Sequence, residues 1–222
     1  MRSSICKKAN RFIVFSVLLI VSYFAWYSQL YGQRVAEKQI VFLGNSLTAG
    51  YGIDPAKSFP ALIQHKIDSL QWPFKVVNAG LSGETTSGGL RRIDWIMTQQ
   101  IDVLVLELGG NDVLRGIAVD VTKANLQGII DKTKNKYPVA DIVIAGMQAP
   151  PNLGNDYLQA FNGIYSHLAK ANEALLIPFL LEGVAGVPEM NLPDRIHPTV
   201  KGHEIIAENV WTVLKPLLER RL

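Results

Sequence analysis

The chain alternates between short apolar runs and longer segments in which apolar residues recur every three or four positions. The short runs are rich in Val, Ile and Leu, which is typical of strands buried on both faces of a sheet. They predict five strands, over residues 39–43, 75–78, 103–108, 141–145 and 174–177. The longer segments have the period of amphipathic helices. They predict helices over residues 58–70, 89–100, 118–136, 156–170 and 200–218.

The regular alternation of strands and helices predicts the fold class. Parallel strands joined by helices need right-handed crossovers, which cover both faces of one sheet with helices. We therefore expect a three-layer α/β/α sandwich, flavodoxin-like, built on a five-stranded parallel sheet. In such sheets ligands bind beyond the carboxyl ends of the strands, so the motifs that follow the strands are candidates for chemistry.

The N-terminal segment follows a different pattern. Residues 12–27 contain no charged side chain, and four cations precede them, namely Arg2, Lys7, Lys8 and Arg11. This order is typical of a signal peptide or a signal anchor. No A-x-A-like cleavage site follows, so we expect an uncleaved hydrophobic helix, with secretion of the body as the alternative if the leader is cleaved.

This leader defines the predicted organisation, a segment 1–34 followed by one domain over residues 35–222. Because the cations precede the apolar segment, the N-terminus should stay in the cytoplasm and the body should lie outside, held at the membrane. The sole cysteine, Cys6, precedes the apolar segment, so no intramolecular disulfide can form.

Composition and charge narrow the function further. The chain has 222 residues, of which 48% are hydrophobic, which suits one folded domain rather than a disordered protein. The formal net charge is +3, so the four cations of the leader leave −1 for all other residues. A nearly neutral body argues against binding to nucleic acid.

Four clusters of polar residues and glycine follow the predicted strands. "GNSLTAG" comes after the first strand, and its Ser46 is either a helix cap or an exposed nucleophile. The others are "NAGLSGETTSGG" after the second strand, "ELGGND" after the third and "LPDRIHP" between the fifth strand and the last helix. Fold geometry can bring all four to one cleft.

A serine nucleophile needs a base, and the histidines differ in their suitability. His65 and His167 lie within amphipathic helices, as surface or packing residues, and His203 is one turn into the last helix, where it could be solvated. His197 follows Asp194 by three residues on a loop, where a carboxylate can bond Nδ1 and leave Nε2 free to accept a proton. The alternative is that Asp194 caps a turn and His197 is a rim residue.

Attack on a carbonyl also requires hydrogen-bond donors for the oxyanion. Asn111 in "GGND" offers a side-chain amide, and Gly83 in "LSGET" offers an unobstructed backbone N–H; a tight turn and a flexible loop are the alternatives. The sequence has no G-x-S-x-G elbow, no P-loop and no H-E-x-x-H zinc motif.

Together these blocks resemble the SGNH (GDSL-type) hydrolase family over residues 39–222, and "LGGNDVLRG" and "YGIDPAKSFPALI" are similar to its thioesterase I, lysophospholipase L1 and arylesterase branch. The resemblance implies that Ser46 attacks, that His197 is the base and that Asp194 orients it. It implies an oxyanion hole of Ser46, Gly83 and Asn111, and neither a cofactor nor a metal.

The branch implies periplasmic or secreted hydrolysis of acyl esters, lysophospholipids or thioesters. A carbohydrate O-acetyl esterase of the cell envelope is an alternative with the same fold. One departure matters, because the family usually has aspartate where this chain has Asn45. A membrane-tethered binding protein with a decayed site is therefore the alternative from another class.

Overall fold

The computed structural model describes Ser22 and residues 37–222. Within residues 37–222, five strands pair in parallel to form one sheet of order β2-β1-β3-β4-β5. The strands are β1 (Lys38–Gly44), β2 (Phe74–Gly80), β3 (Val103–Glu107), β4 (Asp141–Ala145) and β5 (Leu175–Ile177). The predicted five-stranded parallel sheet is confirmed, with small differences at the strand ends.

The helices of the same region include five long ones, each close to a predicted segment, and two short ones that sequence periodicity did not reveal. They are α1 (Ser46–Ala49), α2 (Phe59–Ser69), α3 (Thr86–Ile96), α4 (Gly110–Leu114), α5 (Val119–Lys136), α6 (Asn155–Ala171) and α7 (Val200–Glu219). Helices α1 and α4 have one turn each, which is too short for a hydrophobic period. Helix α3 starts before the prediction because the Thr85 side chain caps it, accepting from the Gly88 N–H.

The strand order defines the layers. The chain passes from β1 through α2 to β2 at one edge, then crosses β1 to reach β3 and continues to β4 and β5. Right-handed crossovers then place α2 on one face and α3, α5 and α6 on the other. Helix α7 packs against α2. The order reverses between β1 and β3, which opens a crevice at their carboxyl ends.

Strand β1 lies at the centre of the core. Ile40, Val41, Phe42 and Leu43 are all fully buried, although successive side chains of a strand point to opposite faces. Both faces of the strand are therefore covered, and the Phe42 ring packs edge-on against Phe59 of α2, with 5.6 Å between centroids. The residues that follow β1 are thus held by a rigid support.

The predicted hydrophobic helix over residues 12–27 lies outside the described residues, as does most of the predicted leader 1–34. No helix in the part of the chain that the structure describes combines the length and the apolar composition needed to cross a bilayer.

His203 is fully buried in α7, which rules out the solvated side chain that its position in the sequence allowed. The His203 side chain faces α2. Its Nδ1 accepts a hydrogen bond from the Phe59 N–H at 3.1 Å, and its imidazole ring stacks on the Phe59 ring. Within the described region, the His203 Nε2 has no hydrogen-bond partner. Burial lowers the pKa of His203 from 6.5 to about 4.

This depressed pKa predicts an acid-labile fold. Between pH 6.5 and 4 the unfolded chain protonates His203 and the folded chain does not, so the unfolded state binds more protons. The free energy of unfolding should therefore fall as the pH drops through this window, by up to about 3 kcal/mol from this residue. Urea unfolding at a series of pH values measures the dependence.

His203→Gln should weaken this pH dependence, because the amide cannot gain a proton. His65→Gln is the matched control, since His65 is exposed on α2, and it should keep the wild-type dependence. An unchanged dependence in His203→Gln would assign the acid lability to other groups.

Candidate active site

The turn after β1 places Ser46 at the crevice. The side-chain oxygen of Asn45 accepts a hydrogen bond from the Leu47 N–H at 2.9 Å, so Asn45 is the N-cap of α1 and Ser46 is the first residue of that helix. The turn is closely packed, because a Cβ on Gly44 would lie 2.0 Å from the hydroxyl oxygen of Thr48. The Ser46 hydroxyl is thus not used as a cap.

The structure brings Ser46, His197 and Asp194 into one hydrogen-bonded chain. The Ser46 Oγ lies 3.0 Å from the His197 Nε2, and the His197 Nδ1 lies 2.7 Å from the Asp194 Oδ2. This is the connectivity of a serine nucleophile, a base and an orienting carboxylate.

A tight turn over residues 192–197 fixes the histidine. The Asp194 Oδ1 accepts from the N–H groups of Ile196 and His197 at 2.9 and 3.0 Å, and the Leu192 N–H donates to the His197 carbonyl. Hydrogen bonds from the His197 N–H, the His197 ring and the Ile196 N–H lower the pKa of Asp194 to about 2. An ionised Asp194 accepts a hydrogen bond from the N–H at Nδ1 of His197. This fixes the ring proton on Nδ1 and leaves Nε2 free to accept a proton from Ser46.

An aromatic ring that sequence analysis missed lies against the histidine. The centroids of the Tyr51 and His197 rings are 4.4 Å apart, with their planes at 41°. Gly50 and Gly52 on either side have positive φ angles of 76° and 78°, which turn the backbone at this point. The two glycines that flank Tyr51 in "AGYG" are the feature of the sequence that could have identified this residue.

Asn111 and Gly83 lie on two segments that are joined by hydrogen bonds. The Asn111 amide donates to the Glu84 carbonyl at 2.9 Å, and the Arg115 guanidinium donates to the Gly83 carbonyl at 2.8 Å. In residues 37–222, neither the Ser46 N–H nor the Gly83 N–H has an acceptor. These N–H groups and the second Asn111 amide hydrogen are available to a ligand.

A buried ion pair supports the loop that carries Gly83. The Arg92 Nε lies 2.7 Å from both carboxylate oxygens of Glu84, whose side chain is 3% exposed. The Arg92 Nη2 also donates to the carbonyls of Ala79 and Gly44, at 2.6 and 3.3 Å. One guanidinium thus joins the ends of β1 and β2 to this loop, a contact that sequence analysis missed.

A cavity of about 180 Å³ opens beside Ser46. The greater part of its wall is apolar, with contributions from Val113, Leu114, Met147, Leu181 and Ile196. Its polar side chains include Asn45, Asn111, Gln148, Asn191 and Arg195. Across the described residues, no three His, Cys, Asp or Glu side chains cluster as metal ligands would.

The family model described as "GDSL-like Lipase/Acylhydrolase family" matches residues 42–205, most of the chain. The chain belongs to this family. Among similar proteins, the esterase TesA of Pseudomonas aeruginosa is 38% identical over 84% of this chain and 92% of its own. The thioesterase 1/protease 1/lysophospholipase L1 of Escherichia coli K12 is 35% identical over 84% of this chain and 88% of its own.

A similar protein of known structure has the same fold. The esterase EstA from Pseudoalteromonas sp., in a crystal structure inhibited by monoethylphosphonate, superposes with a TM-score of 0.77 and 30% identity, over 82% of this chain and 99% of its own. Membership of a lipase and acylhydrolase family identifies the chain as a hydrolase of carboxylic esters.

Proposed function

We propose that the chain cleaves acyl esters and thioesters through an acyl-enzyme on Ser46. The observation that carries the proposal is the hydrogen-bonded chain of Ser46, His197 and Asp194 beside a largely apolar cavity. An apolar wall suits the hydrocarbon part of an acyl substrate. The names of the relatives, esterase and thioesterase 1/lysophospholipase L1, agree with these substrates.

In the first half of the reaction, the Ser46 Oγ attacks the carbonyl carbon while the His197 Nε2 takes its proton. The ionised Asp194 stabilises the resulting imidazolium through Nδ1. The negative charge that develops on the carbonyl oxygen is received by the N–H groups of Ser46 and Gly83 and by the Asn111 amide. Collapse of the intermediate expels the alcohol or thiol, which takes the proton from His197.

In the second half, water replaces the leaving group. The His197 Nε2 accepts a proton from the water, which attacks the acyl carbon, and the same donors receive the oxyanion again. The proton then returns from His197 to the Ser46 Oγ, which releases the fatty or carboxylic acid. The cycle needs no group beyond these residues and water.

The hypothesis of a binding protein with a decayed site rested on Asn45. The contacts of Asn45 favour an enzyme instead. Its side chain caps α1 and leaves the hydrogen bonds of Ser46 and His197 intact. A carbohydrate O-acetyl esterase stays the alternative substrate assignment. Esters of increasing acyl length separate the two, because an O-acetyl esterase should lose turnover beyond acetyl and a lipolytic enzyme should gain it.

Replacement of Ser46 by alanine tests the nucleophile. Ser46→Ala should lower turnover by about 10⁶, since the covalent route is lost. The wild-type protein should be labelled at Ser46 by an alkylphosphonate ester, as shown by the mass of the active-site peptide, and the variant should not. Ser166→Ala, at an exposed position of α6, is the matched control. Wild-type turnover in Ser46→Ala would refute the proposal.

Replacement of Asn111 tests the oxyanion hole. Asn111→Ala should lower kcat by about 10²–10³ with little change in KM, because the amide meets charge that exists only after attack. The donors from Ser46 and Gly83 stay, so activity should persist at this level. Measurement of kcat and of the melting temperature on the same sample decides the role. A lower melting temperature with unchanged kcat would make Asn111 a turn residue only.

The leader belongs to the proposal as an export and anchoring segment. Its support is the four cations before an uncharged stretch over residues 12–27. The full chain fused to a reporter that is active only after export should give a signal, and the product should stay with the membrane fraction. A fusion that lacks residues 1–34 is the control and should stay silent. Recovery of the full chain in the soluble cytoplasm would contradict the assignment.

A further inference from the structure

A carboxylate with no access to solvent lies directly beneath the nucleophile turn. Glu107 ends β3, is paired in register with Gly44, and is 0% exposed. Its Oε1 accepts from the Asn45 side-chain amide at 2.7 Å. Its Oε2 accepts from the Asn45 backbone N–H at 3.1 Å and from the Thr48 hydroxyl at 2.7 Å.

All three donors belong to the segment 45–48, which carries Ser46. Two of them, the amide and the backbone N–H of Asn45, cannot act as acceptors, so they bind Glu107 only while it offers a free lone pair. Hydrogen bonds to an ionised acceptor are about twice as strong as those between neutral groups. The hydrogen bonds between Glu107 and the turn over residues 45–48 are thus strongest when Glu107 is ionised.

Among the described residues, the Arg92 guanidinium reaches the carbonyl of Gly44, which is paired with Glu107, but it forms its ion pair with Glu84. No Lys or Arg in this part of the chain forms an ion pair with Glu107. Titratable groups on the neighbouring helices include Tyr165 of α6 and Asp112 of α4. Burial raises the pKa of Tyr165 well above its usual value, and the charges of Glu107 and Asp112 raise it further. Tyr165 is therefore neutral.

Burial raises the pKa of Glu107 from 4.5 to about 7, against the lowering effect of its hydrogen bonds from Thr48 and Asn45. Glu107 therefore changes its charge within the pH range in which hydrolases work.

We propose that Glu107 is a positioning residue, whose ionised carboxylate holds the 45–48 turn so that the Ser46 hydroxyl stays aligned with His197. The inference rests on the proposed function, because Glu107 can position a nucleophile only if Ser46 is that nucleophile. Protonation removes the charge that strengthens the three hydrogen bonds from Asn45 and Thr48, so these donors are bound less tightly. The turn then loosens, and a displacement of about 1 Å at a nucleophile lowers turnover by about 10².

Because Asn45 has no ionisable side chain, the strength of the hydrogen bonds that fix the turn depends on the charge of Glu107 alone. An aspartate at position 45 would place an oxygen where the amide nitrogen now lies 2.7 Å from the Glu107 Oε1. Two carboxylates at that distance share one proton and carry a single charge over a wide pH range. With Asn45 no proton is shared, and the turn responds to the titration of one group.

The first test is Glu107→Gln, which removes the charge and keeps the size. We expect kcat to fall about 10- to 100-fold with KM nearly unchanged. The acid limb of log kcat/KM should be steeper in the wild type than in the variant, because the variant has no ionisable carboxyl group at position 107. Glu204→Gln, exposed on α7, is the matched control and should keep the wild-type profile.

Two further variants shift the pH profile in opposite directions and do not depend on the folding of Glu107→Gln. Thr48→Val removes a hydrogen bond that stabilises the ionised form, so the acid limb of kcat/KM should move to higher pH. Asn45→Asp introduces the shared proton, so the acid limb should move to lower pH. A purely structural role would lower stability in both variants and leave the profile unmoved.

The inference is overturned if Glu107→Gln retains wild-type kcat, or if neither Thr48→Val nor Asn45→Asp moves the acid limb. The phosphonate separates these failures from a failure of the proposed function. Labelling of Ser46 at an unchanged rate in Glu107→Gln overturns the positioning role alone. Absence of labelling in the wild type, with turnover retained in Ser46→Ala, overturns the nucleophile and this inference together.

Discussion

The hydrogen bonds between the carboxyl ends of β1 and β3 are the constraint on which the site depends. These neighbouring strands are where the sheet order reverses, so two connections diverge and leave a crevice between them. β1 ends in the turn of Ser46, and β3 ends in Glu107, which binds that turn at three points. Residues 40–43 of β1, which are fully buried, make the support below the turn rigid. The two strand ends thus form one unit.

Two carboxylates near Ser46 show how environment separates groups of the same chemistry. Asp194 lies on an exposed turn, where N–H donors lower its pKa to about 2. Glu107 lies in the sheet, where the loss of solvent raises its pKa to about 7. The first therefore keeps its charge beside the histidine at every working pH, whereas the second loses its charge under mild acid. Such a division of environments sets acid–base roles in many enzymes.

Much of the fold and the main site residues followed from the sequence, because their signals are local. The five strands are apolar runs, and Ser46, Asn111 and the segment of Asp194 and His197 follow strands or precede the last helix. The missed residues act over long sequence distances. Arg92 lies on a helix of ordinary composition, and only folding brings it to the carbonyl of Gly44. The burial of His203 could not be predicted, because one position on a helix does not reveal which neighbour covers it.

The hydrogen bond between Ser46 and His197 spans 151 residues of chain, and the histidine lies just before the last helix. A growing chain that has reached the end of β5 contains the whole sheet and the serine, but not the base. Under the proposed mechanism such a chain cannot yet deprotonate Ser46, so the chemistry becomes possible only after the sheet is complete and residues 194–197 have been made.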